Sequence, residues 1–461
     1  MAYDEIDKSS HVDIIKNPEV KEFLSNCDFM VLPTGKELEN VVSNFVEIPA
    51  TSRKLPGKVL AIDCSNYESS IYSHLPYTRV GYVKLSNLLV DRTIYKGLTA
   101  KRFIDPFKVA QFSQDNTAMT FTLPSSNMSF KGEENVRNGF RRALDEQLYQ
   151  SRFSDDDPKT SIRTTLFHLA SLRDDFQTDT VNKLTIHKCP SCKKESIEVF
   201  DIPEVQKCPC CGNRIYPSDC LRIWEEVSDI APNQSALSRF TNAIKHIMVV
   251  HYIRHLKENC PQTYMKILEN LAFFVNGSLS INGTAAWLKG SIQKYIYKIN
   301  KELIDNGYSP IMIVGLKKQG KLVDYMRLIK EDVPPNSIFA VSDEFRNTYV
   351  DFDKTPSKTT YGNETYYGQD FLMKTATGKV FVFDVPYPFE NKENLPIFKV
   401  EKSNILNYVN IGEYAALIED FESDLYESAL VPVALAQKYT AISLQPGGKA
   451  LDLLGQSIIA N

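Results

Sequence analysis

The chain has 461 residues, with 53 Lys and Arg against 57 Asp and Glu, and a formal net charge of −4. That balance excludes a global basic footprint, so any nucleic-acid surface has to be a local cluster of Lys and Arg. A hydrophobic share of 43% excludes a disordered chain, and no apolar run approaches the ~20 residues that cross a bilayer.

The start, MAYDEIDKSS, is acidic and polar and lacks the regions of a secretory signal, so a cytoplasmic location without membrane attachment is expected. Residues Met1–Pro56 read as a polar, mostly helical extension, with one amphipathic helix over Asn17–Cys27. The first core strand is Val59–Ile62, four apolar residues that run straight into Asp63. A carboxylate at the end of a buried strand suits a ligand for a hard cation, and a turn cap is the alternative use. Thr78–Ser86 reads as the antiparallel neighbour of that strand across a turn at His74–Tyr77. Met119–Leu123 is a third extended piece. Glu133–Gln150 is a helix with Val136, Phe140, Leu144 and Leu148 on one stripe, and a further helix covers Ile162–Leu172.

Ser235–Glu258 reads as a long helix, and Leu271–Val275 as a buried strand that ends at Asn276-Gly277. Thr284–Asn300 is helical, Pro310–Gly315 is a strand, and Leu322–Lys330 is a helix. Ser337–Val341 leads to Asp343, and Asp351–Gly368 is rich in Thr, Tyr and Asn, as a mobile loop would be. Val380–Asp384 and Ile397–Val400 read as late strands, and Asn410–Tyr426 and Val433–Tyr439 as late helices. Alternating strands and helices through both halves predict an α/β core.

Five of the nine cysteines fall within Cys189–Cys211, which points to a metal in a reducing compartment and away from a disulfide framework. Cys189-Pro-Ser-Cys192 and Cys208-Pro-Cys-Cys211 are two CxxC knuckles fifteen residues apart. Each knuckle lets two thiolates reach one Zn²⁺ at tetrahedral angles, and a closed four-thiolate site is structural rather than catalytic. Cys210 and Cys220 are spare thiols.

Other residues carry weaker signals. His251 and His255 stand four apart on the long helix, a spacing that permits a shared ligand but more often marks helix surface or core. Lys317, Lys318 and Lys321 form a small basic patch after a strand, as do Arg137, Arg141 and Arg142 on a helix, and either could contact phosphates. Tyr361, Tyr366 and Tyr367 could stack on unpaired bases, with packing as the commoner use.

Taken in order, Ala61-Ile-Asp-Cys-Ser65, Phe274-Val-Asn-Gly-Ser-Leu279, Ile313-Val-Gly-Leu-Lys317, Ala340-Val-Ser-Asp343, the strand Lys379–Asp384 and Val431–Ile442 resemble the successive core segments of the NurA-type nucleases. The resemblance implies an RNase H-like mixed sheet flanked by helices, here with an inserted zinc ribbon. It divides the chain into an extension (1–56), a first core part (57–183), the ribbon (184–222) and a second core part (223–461). It also implies a homodimer that partners a HerA-like hexameric ATPase, and Mn²⁺- or Mg²⁺-dependent cleavage of DNA in end processing, repair or anti-phage defence. Carried over by position, Asp63 is the metal ligand. The family's second Asp falls on Asn276, its helical Glu on Lys245 with Glu258 as the alternative, and its C-terminal His on Gln437, or on Tyr439 if the register slips. A second reading follows from those departures: a subunit that keeps the fold but serves as a DNA-binding or regulatory adaptor of the ATPase. A different phosphodiesterase, acting on RNA or a nucleotide, is a third.

Overall fold

The computed structural model describes residues 16–27, 30–72, 74–99, 116–173, 182–351, 361–423 and 429–442. The strands are β1 (Val46–Glu47), β2 (Lys58–Tyr72), β3 (Leu75–Asp91), β4 (Asn116–Pro124), β5 (Lys183–Lys188), β6 (Glu195–Phe200), β7 (Gln206–Lys207), β8 (Arg214–Ile215), β9 (Leu271–Asn276), β10 (Met312–Lys317), β11 (Ser337–Ala340), β12 (Gly368–Lys374) and β13 (Val380–Pro386). The helices used below are α1 (Pro18–Ser25), α2 (Lys36–Val42), α3 (Arg92–Thr99), α4 (Val136–Gln150), α5 (Ile162–Ala170), α6 (Gln234–Asn259), α7 (Tyr264–Glu269), α8 (Leu288–Asp305), α9 (Lys321–Ile329), α10 (Leu395–Glu401), α11 (Ile411–Asp420) and α12 (Val431–Thr440). None of the described helices is long and apolar enough to cross a membrane.

Among the described residues one nine-stranded sheet runs β1-β11-β12-β13-β10-β9-β2-β3-β4. Its centre is parallel, with β9 between β2 and β10, and the outer arms are antiparallel. The central strands are covered on both faces, which is why Leu271–Val275 and Met312–Leu316 are apolar without alternation. On one face Leu60, Ile62 and Phe273 pack with α4, α5, α6 and α8. On the other, Val59, Ala61 and Phe274 pack with α11 and α12. A third cluster joins α2 and α9 at the β11 edge.

The ribbon strands β5 to β8 are part of the first face, because Leu184, Ile186, Ile197, Val199 and Ile215 share its core cluster. Ion pairs fasten the ribbon as well: Arg141 meets Asp219 at 2.6 Å, and Arg163 meets Asp201 at 3.0 Å.

Three expectations differ from what is found, and one strand was not expected. Asp63 does not end a strand. β2 continues to Tyr72 and pairs with β3 over almost its whole length, whereas β9 pairs with it only from Lys58 to Ile62. The sheet opens beside Asp63 because β9 stops there. Ile397–Val400 is helical, within α10. Pro396 in its first turn and the Asn394 side chain, which accepts from the Ile397 N–H at 3.3 Å, start a helix whose Ile397 and Val400 face solvent. β12 was not expected, because its buried Gln369 and Asp370 disguise an interior strand. The helix over Thr284–Asn300 begins four residues later, at Leu288, after a 3₁₀ turn at Gly283–Ala285. Residues 352–360 of the loop expected at Asp351–Gly368 lie outside the described residues.

Candidate active site and metal centre

Asp63 is 3% exposed and its side chain lies on the α12 face. Both carboxylate oxygens are engaged: Oδ1 accepts from Asn276 Nδ2 at 2.8 Å, and Oδ2 accepts from the Thr440 hydroxyl. Asn276 reaches it because it is the last residue of β9, one row beyond the Ile62–Val275 pair. The chain then turns at Gly277, whose φ of +100° suits glycine. Gly315 of β10 lets that turn sit close, since a Cβ there would lie 2.9 Å from the Gly277 carbonyl oxygen.

Lys245 comes from α6 on the opposite face. Its Nζ donates to the Asn276 carbonyl at 2.8 Å, at the open end of β9. Burial lowers the affinity of this ammonium for its proton, and the charge of Asp63 works against that shift. Lys318, the first residue past β10, donates from Nζ to Gln437 Oε1 at 2.7 Å and is shifted down by burial, again opposed by Asp63. The fold therefore brings Asp63, Asn276, Lys245 and Gln437 into one place and adds Thr440 and Lys318. Thr440 stands three residues beyond Gln437 on α12, so it shares that helix face. This spacing was the available signal for it.

Glu258 is not brought there. It lies thirteen residues beyond Lys245 on α6, about 20 Å along the axis, and pairs with Arg254 at 2.7 Å. Tyr439 is not among the hydrogen-bonded neighbours of Asp63 and packs instead against the core on the α12 face.

Lys317 does not project toward solvent as a phosphate contact would. It is buried on the α6 face in a network with Asp370, and with Asp384 at 3.2 Å. Burial opposes the ionised form of Asp370, but Lys317 and Arg346 outweigh it and hold the carboxyl far below its usual range. Burial and neighbouring Asp370 push the Asp384 carboxyl the other way, well above its usual range. The strand-end acid Asp343 is also spoken for, by Lys402. Lys321 remains near the surface, 2.8 Å from Asp351. Tyr361 and Tyr366 cover the cations of this network, and Tyr367 is fully buried. Arg141 and Arg142 are committed to Asp219 and to Glu133 and Glu146, and Arg137 donates to the Val227 carbonyl.

Of the helix histidines, His246 and His251 are core residues and His255 is half-buried. His251 Nδ1 shares a hydrogen with Thr165 Oγ1 at 2.8 Å, and His246 Nδ1 with Tyr367 Oη at 2.8 Å. Burial drives the His246 pKa from 6.5 down to about 3, and that of His168 on α5 from 6.5 down to about 4. Unfolded, both take up a proton near pH 6.5. Folded, both resist it. Stability present above 6.5 is therefore lost as the pH falls toward 4 and 3. Unfolding free energies from urea titrations at pH 7 and 5 are expected to differ by about 4 kcal/mol from these two groups together. Substituting each with Gln should reduce that dependence, and buried His251 keeps a share of it.

The donors around Asp63 do not fit a divalent cation. They amount to one carboxylate with both oxygens hydrogen-bonded, one amide turned donor-first, and two ammonium groups. A dication ~5 Å from an ammonium is repelled by about 7 kcal/mol at an effective dielectric of ~20. Among the described residues, the group of three or more His, Cys, Asp or Glu that could hold an ion is Cys189, Cys192, Cys208 and Cys211, whose sulfurs all lie within 4.8 Å of one another. Cys189 and Cys211 sulfurs are 3.8 Å apart and those of Cys192 and Cys208 3.7 Å. Metal–sulfur bonds of ~2.3 Å at tetrahedral angles require about 3.8 Å between sulfurs, so this donor set fits. Cys210 stands outside it and Cys220 is a buried thiol.

No curated protein matches the sequence. Among solved structures, the chain is similar to the crystal structure of the NurA nuclease from Sulfolobus solfataricus, with 8% identity, a TM-score of 0.38, and coverage of 99% of this chain and 98% of that one. A family model of the NurA domain matches residues 57–436, beginning one residue before β2 and ending within α12. The segments that build the Asp63 site all lie within or directly after that span, and the chain belongs to the NurA domain family.

Proposed function

We propose that this protein is a NurA-like, nuclease-fold subunit that handles DNA beside a HerA-type hexameric translocase, and that it does so as a non-cleaving DNA-binding or regulatory adaptor. Family membership supports the NurA-like part. One observation carries the non-cleaving part: the Asp63 carboxylate is capped by Asn276 and Thr440, and no group of three or more His, Cys, Asp or Glu forms around it among the described residues. Metal-dependent hydrolysis needs carboxylates converging on a hard cation, which activates water and steadies the leaving oxygen. Here Asp63 instead orders Asn276, and the ammonium groups of Lys245 and Lys318 supply positive charge near the opening of the sheet. Such charge suits a DNA phosphate. A homodimer and a structural Zn²⁺ in the four-cysteine ribbon complete the proposal, and the setting is DNA end processing or phage defence.

The cleaving reading, with Mn²⁺ or Mg²⁺ on Asp63, draws support from the burial of that carboxylate at the point where β9 ends. The two readings separate in one assay. Linear duplex DNA with Mn²⁺ is incubated with the wild type or Asp63→Ala, each alone and with the ATPase partner. Both proteins are expected to retard the DNA on a gel and leave its length unchanged. Degradation by the wild type that Asp63→Ala lacks would overturn the adaptor reading in favour of the enzyme.

A further inference from the structure

A cleft of about 1270 Å³ opens on the α6 face, at the far end of β2 from the Asp63 site. Lys58 borders it five residues before Asp63, about 16 Å along the strand. Its floor holds an anomaly. Asn87 of β3 is 1% exposed and lines the cleft, yet neither its Nδ2 nor its Oδ1 has a hydrogen-bond partner. Asn87 pairs across the sheet with Ile62, a core residue of the α6 face, so its amide stands on that face. A buried amide left unsatisfied carries its full desolvation penalty, and native structures seldom retain one without a use.

The surroundings define what that amide would meet. Phe153, Tyr252 and His255 form one aromatic wall, with Phe153 and His255 ring centroids 4.0 Å apart and Phe153 and Tyr252 5.2 Å apart. The ammonium groups of Lys54, Lys58 and Lys266 border the opening and have no partner among the described residues. Glu269 is the lining acid, and one of its oxygens already accepts from the Ser309 N–H at 3.0 Å. A paired donor and acceptor, an aromatic wall and a surplus of cations together match one class of ligand.

We propose that this cleft binds an adenine nucleotide, with the base against the Phe153–Tyr252–His255 wall, its N6/N7 edge on the Asn87 amide, and its phosphates on Lys54, Lys58 and Lys266. An asparagine amide is complementary to that edge of adenine, aromatic side chains stack on any base, and ammonium groups bind phosphate as point charges. The chemistry is shared by a free nucleotide and by the 5′-phosphorylated end of a DNA strand. It does not depend on whether the Asp63 site cleaves.

Calorimetric titration of the full chain with ATP, and separately with inorganic triphosphate, tests the proposal. The wild type and Asp63→Ala should bind ATP saturably and alike. Asn87→Leu removes the orphaned amide at nearly constant volume and should keep the fold, weakening ATP binding about tenfold or more while leaving triphosphate binding unchanged. A Lys54→Gln and Lys266→Gln double variant, altered only at exposed positions, should weaken both ligands. Displacement of ATP by a 5′-phosphorylated oligonucleotide with a terminal adenine supports the site with a strand end as its source, and failure to displace supports it with the free nucleotide. Absence of saturable ATP binding at millimolar concentration, or binding that both sets of variants leave unaltered, would overturn it.

Discussion

Replacing Cys192 and Cys211 by serine is expected to remove one zinc ion per chain and to lower the unfolding midpoint by about 10 °C or more. The size follows from where the ribbon sits. Structural zinc sites contribute ~10–16 kcal/mol of apparent binding free energy at neutral pH, and that energy is folding energy. In a ribbon hung from the surface, such a loss would stay local. Here Ile186, Ile197 and Val199 belong to the same core as α4, α5 and α6, and Arg141 and Arg163 reach from those helices to Asp219 and Asp201 at the ribbon's edges. Without the ion, the cross-link between the β5–β6 and β7–β8 pairings is lost. Asp201 and Asp219 would then move away from Arg163 and Arg141. Metal analysis of the purified protein and thermal unfolding with and without a chelator provide the check. A metal-free wild type with the same midpoint as the variant would dispose of the structural role. Cys210→Ser should change neither quantity, because that thiol stands outside the tetrahedral set.

A chain carrying both Asn276→Asp and Lys245→Glu is expected to acquire Mn²⁺ binding that the wild type lacks. The two substitutions remove one ammonium and place two new carboxylates near Asp63, where Asn276 of β9 meets its carboxylate and Lys245 of α6 meets the Asn276 carbonyl. Without metal the three acids repel one another, so the variant should be less stable than the wild type. With Mn²⁺ at ~100 times its dissociation constant, binding should restore about 2.7 kcal/mol. Thermal unfolding across a Mn²⁺ titration reads this directly, independently of any cleavage. A wild type that is itself stabilised by micromolar Mn²⁺, with the effect abolished in Asp63→Ala, would contradict the account of the site given above. So would a folded double variant that ignores the ion.

Much of this was legible in the order of residues. The run Val59–Ile62 into Asp63, the two cysteine knuckles, the long α6 and the apolar β9 and β10 each announce themselves by local pattern, since periodicity and ligand spacing are short-range properties. Other features were not legible, for physical reasons. α10 exposes Ile397 and Val400, so its apolar residues mimic an alternating strand. β12 buries Gln369 and Asp370, whose partners Val341 and Lys317 lie far off in sequence. Lys317, Lys318 and Lys321 look equivalent as a basic run, yet one is buried in an ion network, one faces Gln437 and one stays near solvent. Lys317 ends β10, Lys318 lies past it and Lys321 opens α9, so the fold decides where each side chain goes.

By itself, then, the sequence determined that the chain is an α/β protein with a four-thiolate module, and that Asp63 stands on a core strand. Only the tertiary structure decided what Asp63 does. Its partners come from β9, some two hundred residues away, and from α12, nearly four hundred away, and no local pattern reports contacts at that range. The same holds for Asn87. An asparagine in a strand is unremarkable until the fold buries it, leaves both its polar atoms unmatched and surrounds it with aromatic rings and free ammonium groups. Burial and the absence of a partner are properties of the folded chain, because they depend on what other segments bring or fail to bring to the same place.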